Sequence, residues 1–155
     1  MTTATANTTT PAEQSQTETE IRALIDDWTR AFLAKDLDGI MAHYAPDIVA
    51  FDAISALQFK GKETNRDHWQ TCLGFCQGPM KFELHELTVT ASEDVAFSHS
   101  LSHCGGTNDE GEEQACWMRG TVCYRKLDGT WRVTHEHFSA PFDMESGKAR
   151  CDLAP

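Results

Sequence analysis

Near the end of the chain, the run THEHFSAP places His135 and His137 on either side of Glu136. Alternate side chains of a strand face opposite ways. The two imidazoles therefore point one way, and Thr134, Glu136 and Phe138 the other. If the imidazoles enter a cavity, they form a His-x-His pair about 6.6 Å apart, which two ligands of one metal tolerate. No third ligand can be identified, so no metal site is assigned. If the carboxylate enters, the chemistry is proton transfer. His99 and His103 lie about 13 Å apart along another strand and cannot share a metal.

Cys72 and Cys76 sit four apart in TCLGFC, but a zinc site needs two further ligands at matching spacing. These two, and Cys104, Cys116, Cys123 and Cys151, are expected as free thiols. The sequence has no Gly-x-Ser-x-Gly, Cys–His pattern of known spacing, P-loop or dinucleotide fingerprint. Covalent and nucleotide chemistry have no support, and no cofactor is expected.

The elements that must position these groups read as follows. TEIRALIDDWTRAFLAK carries Ile21, Leu24, Ile25, Trp28, Phe32 and Leu33 at helical spacing, with Thr17 or Thr19 as cap. Asp36 caps a short second helix that Ala45-Pro46-Asp47 ends. Ile48–Ala53 is a short β run, residues 55–59 continue as its hairpin partner, and Gly61 turns the chain. A third helix presents Trp69, Leu73 and Cys72 or Cys76, and Gly78-Pro79 stops it. The period then changes to two, giving four long strands, the last two joined by a hairpin at Asp128-Gly129. Helices first and strands after predict an α+β fold: three N-terminal helices packed on a strongly curved antiparallel sheet that encloses a cavity.

The 155 residues fit one domain, long enough to bury a core without staples. Residues 1–18 read as a disordered tail, 19–143 as the domain and 144–155 as a C-terminal tail. The net charge of −11 argues against nucleic acid or an anionic membrane as partner. No run approaches a membrane span and no leader is evident, so the expected location is cytoplasmic.

Three blocks carry a family resemblance: AFLAKDLDGIMAHYAPDIVAFDA, FKGKETNRDHW and RGTVCYRKLDGTWRVTHEHFSAP. They resemble the NTF2-like superfamily, most closely its SnoaL-like and ketosteroid-isomerase-like branch. The resemblance implies a cone-shaped fold and a homodimer formed through the outer sheet face. It implies no particular reaction. It sets Asp52 where ketosteroid isomerases keep their proton-moving aspartate. Trp28 and Thr121 fall where those enzymes keep the two oxyanion donors, a tyrosine and a neutral aspartic acid. Both are weaker donors here, so authentic steroid isomerisation is not expected.

The same resemblance assigns strand phases. It turns Phe97, His99, Leu101 and His103 inward, then Trp117, Arg119, Thr121 and Cys123, then Thr134, Glu136 and Phe138. His135 and His137 would point outward. Counting back from the hairpin places Arg119 nearly opposite Glu136, where a bidentate pair would keep Glu136 ionised, while burial raises the pKa of Asp52. The implied cavity binds a small hydrophobic or aromatic molecule among Trp28, Trp69, Trp117, Thr121 and Phe138. Asp52, Glu136, Arg119 and His99 would supply cofactor-free acid–base chemistry such as isomerisation, cyclisation or dehydration. The blander alternatives are a turn-capping Asp52, a structural Arg119–Glu136 pair, a lining His99 and core tryptophans. They correspond to a non-catalytic ligand-binding or assembly module.

Overall fold

A computed structural model describes residues 11–155. Helix α1 spans Pro11–Leu33, α2 Leu37–Met41 and α3 Lys62–Gly74. The strands are β1 Tyr44–Phe51, β2 Phe59–Lys60, β3 Lys81–Ala91, β4 Val95–Thr107, β5 Glu113–Leu127 and β6 Thr130–Ser139. They form one six-stranded sheet in the order β2-β1-β6-β5-β4-β3.

Helix α1 begins at Pro11, upstream of the stripe that predicts it, so residues 11–18 are helical where a tail is expected. A proline suits a first helical turn because its missing N–H has no partner to lose there. Residues 1–10 of the expected tail lie outside the described residues. Ile21, Ile25 and Phe32 are buried, and Leu24 and Trp28 pack beside them against the sheet. Asp36 caps α2 by accepting from the Gly39 N–H at 3.0 Å. Among the described residues, no helix is long and apolar enough to cross a membrane.

Three expectations are corrected. Ala45-Pro46-Asp47 belongs to β1 rather than ending a helix. Six residues, Tyr44 to Val49, span what three, Val133 to His135, span on β6, and this bulge accommodates Pro46, which has no N–H for the ladder. The sheet is not wholly antiparallel, because β1 and β6 run parallel. The C-terminal segment is also anchored. A Cys116–Cys151 disulfide ties it to β5, and Phe142 bridges Ala149, so two of the six cysteines are not free.

Two further bulges bend the sheet. One lies in β3 between His85 and Thr88, where Glu86 takes a φ of 54°. The other lies in β6. Tyr124 pairs with Val133 and Val122 with Glu136, so β6 has one residue more than β5 over this stretch. Val133 and Glu136, three apart, thereby come to the same face. Without the extra residue, the parity of Trp131 and Val133 would continue into His135 and His137.

Candidate active site

The concave side of the sheet, roofed by α1, encloses a cavity of about 50 Å³. Leu24 and Trp28 of α1, Phe82 and Leu84 of β3, and Val122 of β5 supply apolar wall. Ser98, Ser100, Tyr124 and Glu136 supply polar atoms. Phe138 packs against Gly120, where a Cβ would sit 2.9 Å from its ring.

At the cavity wall a chain of donors ends on a carboxyl group. The Trp28 indole N–H donates to the Tyr44 hydroxyl at 3.2 Å. Tyr44 donates to Glu136 Oε2 at 2.8 Å. Tyr44 is 1% exposed and Glu136 4%. Burial pushes the Glu136 carboxyl up to about 8, the Tyr44 hydrogen bond resists, and the negative charge of Asp52 adds to the rise. Glu136 is therefore mostly protonated at neutral pH. Burial, then the nearby Glu136, also raises Tyr44, which keeps its proton and remains a donor. The Trp69 indole N–H lies near the same phenol but outside hydrogen-bond geometry, and is buried without a partner among the described residues. Trp28, Phe32, Trp69 and Phe82 pack with ring centroids 5.3–5.9 Å apart and hold this wall.

Asp52 continues the inward parity of Ile48 and Ala50 at the end of β1. Since Ala50 pairs with Glu136, Asp52 lies one step beyond that pair on the same face. Its Oδ2 is 2.5 Å from His68 Nε2 of α3, and its Oδ1 accepts from the Ala53 N–H. Burial works against a charge on His68, yet its hydrogen bonds to Asp52 and Cys72 outweigh it and hold the imidazole up to about 9. Phe59 stacks on His68 at 3.8 Å. Cys72 Sγ lies 3.6 Å from His68 Nε2.

Of the residues expected to line the cavity, Trp28, Glu136 and Phe138 do so. Trp69 packs behind them, and Asp52 sits beyond the Glu136 pair. His99, Arg119, Thr121 and Trp117 are on the other side. In β4 the buried parity is Ala96, Ser98 and Ser102, which turns Phe97, His99, Leu101 and His103 outward. In β5 the inward parity is Gly120, Val122 and Tyr124, so Trp117, Arg119, Thr121 and Cys123 face out.

Arg119 pairs in register with Ser139, not Glu136, and its Nε donates to Ser139 Oγ at 3.1 Å. The expected roles of the two carboxyls exchange: Glu136 is the neutral acid, and Asp52 is paired with a cation. His99, Leu101, Arg119 and Thr121 line a shallow groove on the outer face. Trp117 stacks on His103 there at 4.8 Å and meets His85 edge-on at 4.7 Å. His135 Nδ1 lies 2.7 Å from the Val49 carbonyl, and His137 is exposed.

Sequence reasoning passed over Tyr44 and His68. The expected second helix, ended by Ala45-Pro46-Asp47, takes in Tyr44, although a tyrosine needs a partner for its hydroxyl once buried. His68 and Cys72 are four apart on one helix, a spacing as visible as the Cys72–Cys76 pair.

A family model described as a SnoaL-like domain matches residues 21–143. Among solved structures, the chain is similar to an NTF2-like protein of unknown function from Pseudomonas putida. The identity is 53%, the TM-score 0.84, and 96% of this chain and 100% of that one are covered. It also resembles a ketosteroid isomerase-like protein from Erwinia carotovora (22% identity, TM-score 0.67, 79% and 94% covered). An NTF2-like superfamily protein from Salmonella enterica gives 16% identity, a TM-score of 0.74, and 88% and 99% covered. The last two show the fold alone. None of the curated proteins matches.

Proposed function

The chain belongs to the SnoaL-like domain family, and on that footing we propose that it binds a small apolar or aromatic molecule beneath α1 and exchanges a proton with it through Glu136. The observation that carries this reading is a buried carboxyl group with its pKa near neutrality, lining an apolar cavity and held by Tyr44. A general acid or base is most effective when its pKa lies near the working pH. The reaction class is cofactor-free isomerisation, cyclisation or dehydration next to a carbonyl. Glu136 gives or takes the proton, Tyr44 orients it, and the Trp28 indole orients Tyr44. Burial, with the negative charge of Asp52 added to it, keeps Glu136 protonated until substrate arrives.

The size of the cavity favours a second reading as well. A volume of about 50 Å³ holds a few waters, whereas a cavity of about 150 Å³ takes up benzene. A ring-sized ligand therefore enters only as half-buried Trp28 and Phe138 move apart. If they stay closed, the protein is a dimeric assembly module that uses its outer sheet face. Val95 (51% exposed) and Phe97 (44%) support a homodimer there.

Titration with small aromatic ketones, read by tryptophan fluorescence, tests the first reading. Saturable binding that W28F abolishes, with turnover lost in E136Q, supports it. A stable dimer that binds no such probe supports the module.

A further inference from the structure

We propose that Asp52, His68 and Cys72 form a binding site for one divalent transition-metal ion of the zinc class. The site shares Asp52 with the surroundings of Glu136 but does not depend on that reading. One carboxylate oxygen, one imidazole nitrogen and one sulfur lie within 4.8 Å of one another. That mixture of donors is what zinc takes from proteins.

The elements hold the donors in place. His68 and Cys72 are one turn apart on α3, so their side chains share a face. Asp52 arrives from the inner face of β1. The His68 side chain is 4% exposed and that of Asp52 16%.

The spacing suits a common ion. Zinc bonds of about 2.05 Å to nitrogen and 2.3 Å to sulfur, at a tetrahedral angle, put the two donors about 3.5 Å apart. His68 Nε2 and Cys72 Sγ are 3.6 Å apart. The same geometry asks for about 3.4 Å between nitrogen and carboxylate oxygen. The observed 2.5 Å is that of a close hydrogen bond. Metal entry replaces its proton and moves Asp52 outward by about an ångström. Asp52 has room to move, since it follows the end of β1 and precedes the exposed residues 53–58. Binding releases the His68 and Cys72 protons, and the ion takes a neutral imidazole, a thiolate and a carboxylate. Three protein ligands leave the fourth position for water, the pattern of an open rather than a purely structural zinc site.

The test is a titration of the metal-stripped full-length chain with Co²⁺ under anaerobic conditions. A thiolate-to-cobalt charge-transfer band should grow and saturate at one ion per chain. C72S, which preserves the shape of the side chain, should abolish the band, while C76S and C104S keep it. D52N should weaken Co²⁺ at least about tenfold, since even an indirect partner of a metal ligand is worth that much. Zn²⁺ added afterwards should bleach the band. No band in the wild type, or a band that survives C72S, overturns the proposal.

Discussion

The Tyr44 hydroxyl meets Glu136 Oε2 at 2.8 Å, joining two residues 92 positions apart in sequence on the parallel strands β1 and β6. The contact requires both bulges beside it. The β1 bulge brings Tyr44 level with Val133, and the β6 bulge swings Glu136 onto the Val133 face. A carboxyl group placed so deep gives up its charge more readily than its position.

The ionisation of Glu136 should therefore be legible in stability. Its folded-state pKa rises from 4.5 to about 8. Between those values the unfolded chain has released a proton that the folded chain retains. The folded state binds more protons, so this group lowers stability as pH rises through the window, by about 1.4 kcal/mol per unit. Above the window the penalty is constant. E136Q removes the charge while leaving an acceptor for Tyr44. Denaturant midpoints at pH 5 and pH 8 should fall less in E136Q than in wild type, and the variant should be the more stable at pH 8. Equal slopes in the two proteins would show that Glu136 is ionised throughout.

Y44F tests the other end of the contact. It removes a hydroxyl that accepts from Trp28 and donates to Glu136, leaving both without that partner. The expected loss is roughly 1–3 kcal/mol, typical of a buried polar group left unsatisfied. The Tyr44 hydrogen bond also holds the Glu136 pKa down. Its removal should move the Glu136 titration, followed by NMR of the carboxyl carbon, to higher pH. An unchanged titration would mean that the contact is not made in solution.

The parts that could be read in the sequence are those set by local periodicity. The Ile21–Phe32 stripe and the Asp36 cap need only neighbours along the chain. Strand phase was harder to read, for a physical reason. The concave face lies under α1 and takes small residues, Ala96, Ser98, Ser100 and Gly120, because aromatic side chains from α1 and β3 already fill the space. The larger Phe97, Leu101 and Trp117 are on the convex face, against the usual association of size with interior. Glu136 faces inward, as the family resemblance suggests, but the extra residue in β6 is what brings it there. A bulge leaves no mark in alternation that a single sequence reveals. The Cys116–Cys151 bond joins a strand to a segment with no periodic pattern, so nothing local announces it.

The same reversal of size argues for a partner on the convex face. Val95 and Phe97 stand exposed at one end of β4, and Trp117 packs between His85 and His103 at the other end of the sheet. If two copies meet there, F97E should place a buried charge in the interface and convert a dimer to monomers. Light scattering across a concentration series would show the change. Tryptophan emission from the Trp28 wall should stay as in the wild type. A wild-type chain that remains monomeric at high concentration would remove the homodimer from the reading.

The disulfide makes the last expectation, because it closes a loop between positions 35 residues apart. Cross-linking a loop of that length restricts the unfolded chain and is worth about 2–4 kcal/mol. The bond also holds the segment after Phe142, whose other attachments include one bridge to Ala149 and the Arg150 N–H on the Pro141 carbonyl. C151S should therefore lower the unfolding midpoint and open residues 144–155 to proteolysis. The Tyr44–Glu136 pair lies on other strands and should keep its titration. Cleavage confined to the C-terminal segment, with the E136Q effect on pH dependence intact, would show that the bond staples the tail without shaping the cavity. Loss of both would mean that β5 itself depends on Cys116 being tied down, and through β5 the register that places Glu136.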